Sequence, residues 1–249
     1  MGDLTLVEPP VQFLNRPDGT RLAYRHLRGE GPTIVFLPGY MSDMQGGKAQ
    51  ALAAWAQTQN RAMLRLDYSG CGESDGEFES GTLDVWRDDV CAVIAAVVTG
   101  PIILVGSSMG GWLMLLVAQA LGDQVRALVG IAAAPDFTDW DFDAADKAAL
   151  LDKGRIERPS DYGYDAMVIT QDFWTSGQDN LQLTDRVAIH CPVRLIHGQQ
   201  DPDVPWEISL KLAACLCSAD VQTLLIKDGD HRLSRDQDIA LLIDVVAKL

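Results

Sequence analysis

The segment that most constrains the fold is Ile102-Ile103-Leu104-Val105-Gly106-Ser107-Ser108-Met109-Gly110-Gly111-Trp112. Four apolar residues in a row read as a strand buried on both faces. The chain then turns through Gly106-x-Ser108-x-Gly110 and runs directly into an apolar helical stretch, 110–121. A strand that reverses into a helix within so few residues holds the apex residue in a sparsely populated backbone conformation. It also brings the two backbones so close that the flanking positions need glycine, which Gly106 and Gly110 supply. Ser108 stands at the apex, with its hydroxyl pushed out of the sheet. The helix N-terminus beyond it offers unpaired N–H groups and the positive end of a dipole. Ser108 is therefore the candidate nucleophile, and the N–H of Met109 a candidate donor to a developing oxyanion. The bland alternative is a tight turn that uses Gly and Ser for geometry alone.

The rest of the chain alternates apolar runs with helical stretches. Strands are expected at 11–13 and Arg21–Leu27, as a hairpin around Pro17-Asp18-Gly19, and at 33–37, 62–66, 102–105, 127–132, 193–196 and Val221–Ile226. Helices are expected at 48–57, 83–98, 110–121, 208–216 and 236–248, the last with Ser234 and Gln237 as a capping box. Such alternation with continuous apolar strands implies an α/β fold, a mostly parallel central sheet with helices on both faces. At 249 residues the chain can bury one sizeable core. The rhythm breaks from 135 to 190, where no buried strand is evident. That stretch holds an acidic amphipathic helix at Ala144–Lys153, a short Pro/Tyr/Gly section and a helix near 170–174. The expected organisation is a core of 1–134 and 191–249, with 135–190 inserted over the sheet's end as a lid.

A serine hydroxyl needs an adjacent base. Of the four histidines, His26 lies in the early hairpin, His190 precedes Cys191-Pro192 and His197 ends the strand 193–196. His190 and His197 read as structural. His231 follows the last strand and precedes the last helix, and it alone follows both a nucleophile and an acid at a strand end, in the order Ser, acid, His. The acid is Asp201, just past the strand 193–196, where parallel sheets gather their sites. Asp203 is its rival. The second oxyanion donor belongs in the loop Pro38-Gly39-Tyr40-Met41, with the N–H of Tyr40 as candidate and that of Met41 as the alternative. The Gly-rich string Asp67-Tyr68-Ser69-Gly70-Cys71-Gly72-Glu73-Ser74 lacks the Gly-Lys-Ser/Thr of a phosphate loop and reads as scaffold beside the site. Cys71 has no evident base partner and is set aside as a nucleophile.

A net charge of −15 argues against nucleic acid, whose phosphates require Lys and Arg, and gives no help on anionic membranes. No run approaches the roughly 18 apolar residues of a membrane span, so stable membrane insertion is not expected. The five cysteines, at 71, 91, 191, 215 and 217, are odd in number and scattered, as free thiols of a reducing compartment would be. Cys215-x-Cys217 has the wrong spacing for a zinc half-site. No metal or cofactor is implied. The first ten residues carry two acids, no base and no long apolar core, unlike a signal peptide. A cytoplasmic protein is expected.

With these residues in view, the chain resembles the α/β-hydrolase superfamily over nearly its whole length. The marks are Pro38-Gly39-Tyr40, Asp67…Gly70-x-Gly72-x-Ser74, the turn from Gly106 to Gly110, Gly198…Asp201…Val204-Pro205 and Asp230-His231. More narrowly, Pro38-Gly39-Tyr40-Met41-Ser42, Asp67-Tyr68-Ser69-Gly70, the string from Gly106 to Met114, Val204-Pro205-Trp206 and Asp230-His231-Arg232 resemble the mitochondrial palmitoyl-protein thioesterase branch, also described as acyl-glucuronide hydrolases. The resemblance is to a bacterial-like form, with no presequence recognised. It implies an acyl-enzyme mechanism with Ser108, Asp201 and His231 as the triad. The implied substrate is a small acyl ester or thioester, or an S-acylated protein. A general carboxylesterase, a carbon–carbon bond hydrolase or a cofactor-free haloperoxidase would use the same three residues. The stretch 135–190, which sets substrate choice, is not matched to that branch.

Overall fold

The computed structural model describes residues 7–159 and 166–249. Residues 1–6, read above for a signal peptide, and most of the Pro/Tyr/Gly section lie outside the described residues.

The chain opens with the hairpin β1 (Gln12–Asn15) and β2 (Arg21–Leu27). It continues through β3 (Glu30–Leu37), α1 (Gly47–Thr58), β4 (Arg61–Leu66), α2 (Leu83–Val97), β5 (Ile102–Ser107), α3 (Met109–Leu121) and β6 (Val125–Ile131). Next come α4 (Phe137–Trp140), α5 (Ala144–Lys153), β7 (Arg155–Arg158), β8 (Met167–Thr170) and α6 (Gln171–Asp179). The chain ends with β9 (Val193–Gly198), α7 (Glu207–Cys215), β10 (Val221–Ile226) and α8 (Asp236–Ala247). Eight strands form one sheet in the order β1-β2-β4-β3-β5-β6-β9-β10. Pairing is antiparallel at β1/β2 and β2/β4 and parallel from β4 to β10. This is the α/β hydrolase fold.

All six residues of β5 are buried, at the middle of the sheet. Strand side chains alternate faces, so Ile102 and Leu104 join the core under α2 and α3 with Trp86, Val90 and Trp112. Ile103 and Val105 join the opposite core with Leu52, Leu242 and Val246, under α1 and α8. Each such aliphatic burial contributes about 1.5–3 kcal/mol, and β5 is the one strand among the described residues that is buried along its whole length. Among the described residues no helix is long and apolar enough to cross a membrane.

Two details differ from the sequence reading. The expected capping box at Ser234 and Gln237 does not form. Arg235 is the N-cap of α8, and the Asp238 carboxylate accepts from its N–H (3.2 Å) and its Nε (2.8 Å). A carboxylate that can take a bidentate charged partner outcompetes a Ser–Gln pair at the same turn. The second difference is an antiparallel pair of short, partly exposed strands, β7 with β8, inside the stretch where no buried strand is expected. β7 is only four residues, Arg155-Ile156-Glu157-Arg158, with no residue fully buried, so it carries no apolar run to detect.

The 135–190 stretch is fastened where it leaves and rejoins the sheet layers. Asp136 is buried in a left-handed conformation (φ 61°) at the N-terminus of α4. Its two carboxylate oxygens accept the N–H groups of Gln182 and Leu183, both at 2.7 Å, closing the stem. Trp112 of α3 adds an Nε1–H bond to the Asn180 carbonyl at 3.0 Å. Asp136→Ala leaves two N–H groups without their charged acceptor and should cost about 2–4 kcal/mol. Urea unfolding at unchanged slope measures this; a loss below about 0.5 kcal/mol would remove Asp136 from that role.

Candidate active site

Ser108 sits between β5 and α3 with φ 54° and ψ −122°, a region L-residues rarely enter. The strain is held by hydrogen bonds on every side. Ser108 N–H donates to the Ile131 carbonyl (2.9 Å), while its own carbonyl accepts from Gly111 N–H (2.8 Å) and Ala134 N–H (3.1 Å). The close approach is steric fact: a Cβ on Gly106 would lie 2.2 Å from Gly110 O, and one on Gly110 would lie 2.2 Å from Leu37 O. Met109 is the first residue of α3, so its N–H meets no carbonyl within the helix.

One residue from a distant part of the chain meets this hydroxyl, and a second meets the first. His231 Nε2 lies 3.1 Å from Ser108 Oγ, and its Nδ1 lies 2.8 Å from Asp201 Oδ2. With Nδ1–H donating to the carboxylate, Nε2 is free to accept the serine proton. Asp201 Oδ1 also accepts the N–H groups of Asp203 (2.9 Å) and Val204 (2.8 Å), so the turn after β9 folds around its carboxylate. Burial pushes the Asp201 carboxyl up, but hydrogen bonds from His197 and His231, the charge of His231 and the Val204 N–H outweigh it and hold it well below the usual carboxylate range. Asp203, the rival acid, is exposed, and the carboxylate that meets His231 Nδ1 is that of Asp201. His26 lies on β2, away from this cluster, and His190 is exposed. The sequence points to a structural role for His197. It lies directly against Asp201, with Nε2 3.1 Å from Oδ2. The only signal in the sequence is its place four residues before Asp201, and nothing in that spacing reports where the ring points.

The loop after β3 faces the serine. A Cβ on Gly39 would lie 3.4 Å from both Ser107 O and Ser108 Cβ, so the loop packs directly against the serine. The end of β4 holds the loop in place. Tyr68 Oη–H donates to Pro38 O (2.9 Å), Arg65 donates to Met44 O (3.2 Å), and Asp67 accepts from Met44 N–H (2.7 Å) and Glu73 N–H (3.0 Å). The Gly-rich string 67–74 is thus a brace for the loop that carries Tyr40. Burial pushes the Cys71 thiol up to about 12, with Asp67 adding to the shift, so it is a poor nucleophile.

A cavity of about 940 Å³ opens over Ser108 and His231. Tyr40 and Met109 line it beside Ser108, with Met41, Phe137, Trp140 and Met167 as apolar wall. The Tyr40 ring packs against Phe78, Trp86, Phe137 and Phe173, and its hydroxyl donates to Val168 O of β8 at 2.7 Å. Lys48, half-buried at the start of α1, donates from Nζ to Arg232 O at 2.6 Å and so tethers the turn that carries His231. Ligating atoms of Asp201, Asp203 and His231 lie within 4.8 Å of one another. The Asp201 oxygens already accept two N–H groups and two imidazoles, so a cation there would have to displace the His231 contact.

Fold and site together define a hydrolase of the α/β class. The model of the alpha/beta hydrolase family matches residues 34–245, and the chain belongs to that family. It is 41% identical over 247 residues to the human protein named "Palmitoyl-protein thioesterase ABHD10, mitochondrial", covering 96% of this chain and 81% of that protein. The bovine protein of the same name is 40% identical over 247 residues. The solved structure of alpha/beta hydrolase domain-containing protein 10 from mouse superposes with a TM-score of 0.90 at 40% identity, covering 96% of this chain and 97% of that one. These relatives are named as mitochondrial, which overturns the expectation of a cytoplasmic protein. Free thiols and surface charge report conditions that a fold tolerates; they do not distinguish one reducing compartment from another.

Cys71→Ser should keep hydrolytic activity within about twofold, and native Cys71 should resist iodoacetamide at pH 8, because a thiol at about 12 is almost wholly protonated there. Peptide mapping after labelling reads the second point. Rapid native alkylation at Cys71 with loss of activity would reverse the assignment.

Proposed function

We propose that the chain is a serine hydrolase that cleaves acyl thioesters or esters, with palmitoyl-protein thioesters as the leading substrate class. The observation that carries the reading is the line Ser108–His231–Asp201, at 3.1 and 2.8 Å, beneath an open cavity. The relatives named palmitoyl-protein thioesterase support the substrate class. So does the cavity, which lies near the top of the range of about 300–1,000 Å³ usual for ligand pockets and has an apolar wall.

Ser108 Oγ attacks the acyl carbonyl while His231 Nε2 takes its proton. Asp201 fixes the imidazole tautomer and stabilises the imidazolium. The N–H groups of Met109 and Tyr40 receive the oxyanion; a donor of this kind contributes roughly 3 kcal/mol. The tetrahedral centre collapses, and the thiol or alcohol leaves with the proton from His231. Water, deprotonated by His231, then clears the acyl group from Ser108. Every step uses the chain's own groups. The stretch 135–190 acts as a lid that shapes the acyl site, since Phe137, Trp140, Arg158 and Met167 all reach the cavity from it. The partner is a small acyl ester or thioester, or an S-acylated protein.

Hydrolysis of an S-palmitoyl peptide beside p-nitrophenyl butyrate, for the native chain and Ser108→Ala, tests this. The thioester should be the better substrate, and Ser108→Ala should lower both rates by at least about 10³-fold. Turnover of the short ester alone would leave the serine mechanism and remove the depalmitoylating role. Full activity in Ser108→Ala would remove the mechanism. Because the base works only when neutral, the native rate should rise with pH through an imidazole titration; a flat profile from about pH 5 to 9 would exclude His231 as base.

A further inference from the structure

Asp201 carries two histidines on one oxygen. Its Oδ2 lies 2.8 Å from His231 Nδ1 and 3.1 Å from His197 Nε2. The His197 ring is fully buried, and its Nε2 also lies 3.0 Å from the Val204 carbonyl. Both Nε2 partners are acceptors, so Nε2 carries the proton. On the far side of the ring, Nδ1 lies 2.7 Å from Ser209 Oγ, a buried hydroxyl on α7. With the hydroxyl donating to Nδ1, every polar atom of the buried ring is satisfied while the ring stays neutral. Hydrogen bonds therefore run without a break from α7 through Ser209, His197, Asp201 and His231 to Ser108.

We propose that His197 is a positioning residue for this site, fixing the carboxylate that orients His231. The inference rests on the reading of Ser108, His231 and Asp201 as the reacting groups. The N–H groups of Asp203 and Val204 hold Oδ1, and His197 holds Oδ2. A carboxylate pinned at both oxygens cannot rotate away when His231 moves toward the leaving group. The arrangement also has an electrostatic consequence. A donor on the carboxylate stabilises its negative charge and tempers its hold on the His231 proton. Without His197, Asp201 attracts that proton more strongly. The imidazolium then persists to higher pH, and the acidic limb of the rate profile moves up.

Other charged groups face His231 across the cavity: Asp43 and Lys48 from the loop and helix after β3, Asp141 and Arg158 from the 135–190 stretch, Asp203 from the turn of Asp201, and Arg232 beside it. All of them are present in every variant compared, and His197→Gln, which restores a donor to Asp201, separates the bond to Asp201 from their fields.

The test is the pH dependence of p-nitrophenyl butyrate hydrolysis for the native chain, His197→Asn, His197→Gln and Ser108→Ala. An asparagine amide reaches the Nδ1 position and keeps the Ser209 bond, but falls short of Asp201. A glutamine amide reaches the Nε2 position and restores a donor there. His197→Asn should lower kcat by about tenfold with KM within about twofold, and move the acidic limb up by about half a pH unit. His197→Gln should stay within about threefold of native with the native limb. A native profile in His197→Asn, or equal loss in both variants with the native limb, overturns the proposal. Should His197→Asn fail to fold, Ser209→Ala takes its place. It removes the bond that holds the ring from its far side, and so loosens the Nε2–H contact with Asp201 and should move the limb the same way by less; a native profile there overturns the proposal. Ser108→Ala separates the two claims: if it is inactive while His197→Asn is native-like, only the role of His197 falls, and if it is active, the reading of the site falls with it.

Discussion

The structure depends on one close contact, the approach of α3 to β5 and β3 at the turn after β5. Backbone meets backbone there at distances that leave no room for a Cβ at Gly106 or Gly110. That contact bends Ser108 to φ 54°, starts α3 on the next residue, and fixes the loop after β3 beside it. A strained residue persists only where its surroundings over-determine it. Here the surroundings are β5, buried along its whole length, and the bonds from Ile131, Gly111 and Ala134.

The rest of the candidate site is assembled by loops at one edge of the same sheet. β4 ends in the brace of Asp67 and Tyr68, β9 in the turn of Asp201, and β10 in the turn of His231. Parallel strands aim their C-terminal ends the same way, so residues far apart in the chain converge. β9 and β10 are adjacent and in parallel register from Val193 with Val221 to Gly198 with Ile226. That register sets the Asp201 and His231 turns side by side. A Cβ on Gly198 would come within 2.2 Å of Gly229 O, so glycine is needed for the two turns to touch.

The elements legible in the sequence share one property. β5, α2, α3, β10 and α5 each announce themselves through a local pattern of apolar residues or caps, which needs no knowledge of neighbours. The four-residue β7 has no such pattern, and its strand character comes only from pairing with β8. The cap of α8 went to Arg235 because Asp238 can take two bonds from one guanidinium residue, a competition decided by geometry. Localisation is not legible in this way: charge and cysteine spacing describe the folded chain, and the expectation of a cytoplasmic protein is set against relatives that are named as mitochondrial.

By itself the sequence determined the alternation of strands and helices, the glycine-flanked serine, and the order in which serine, aspartate and histidine occur. These are local facts or facts of order, set by steric and hydrophobic rules that act over a few residues. Only the tertiary structure decided which carboxylate meets His231, that His197 shares it, and that the phenol of Tyr40 binds the 135–190 stretch at Val168. Each of these is a contact between groups whose spacing in the chain says nothing of their distance. The burial that made the rings and carboxylates choose their partners exists only once the sheet has closed around them.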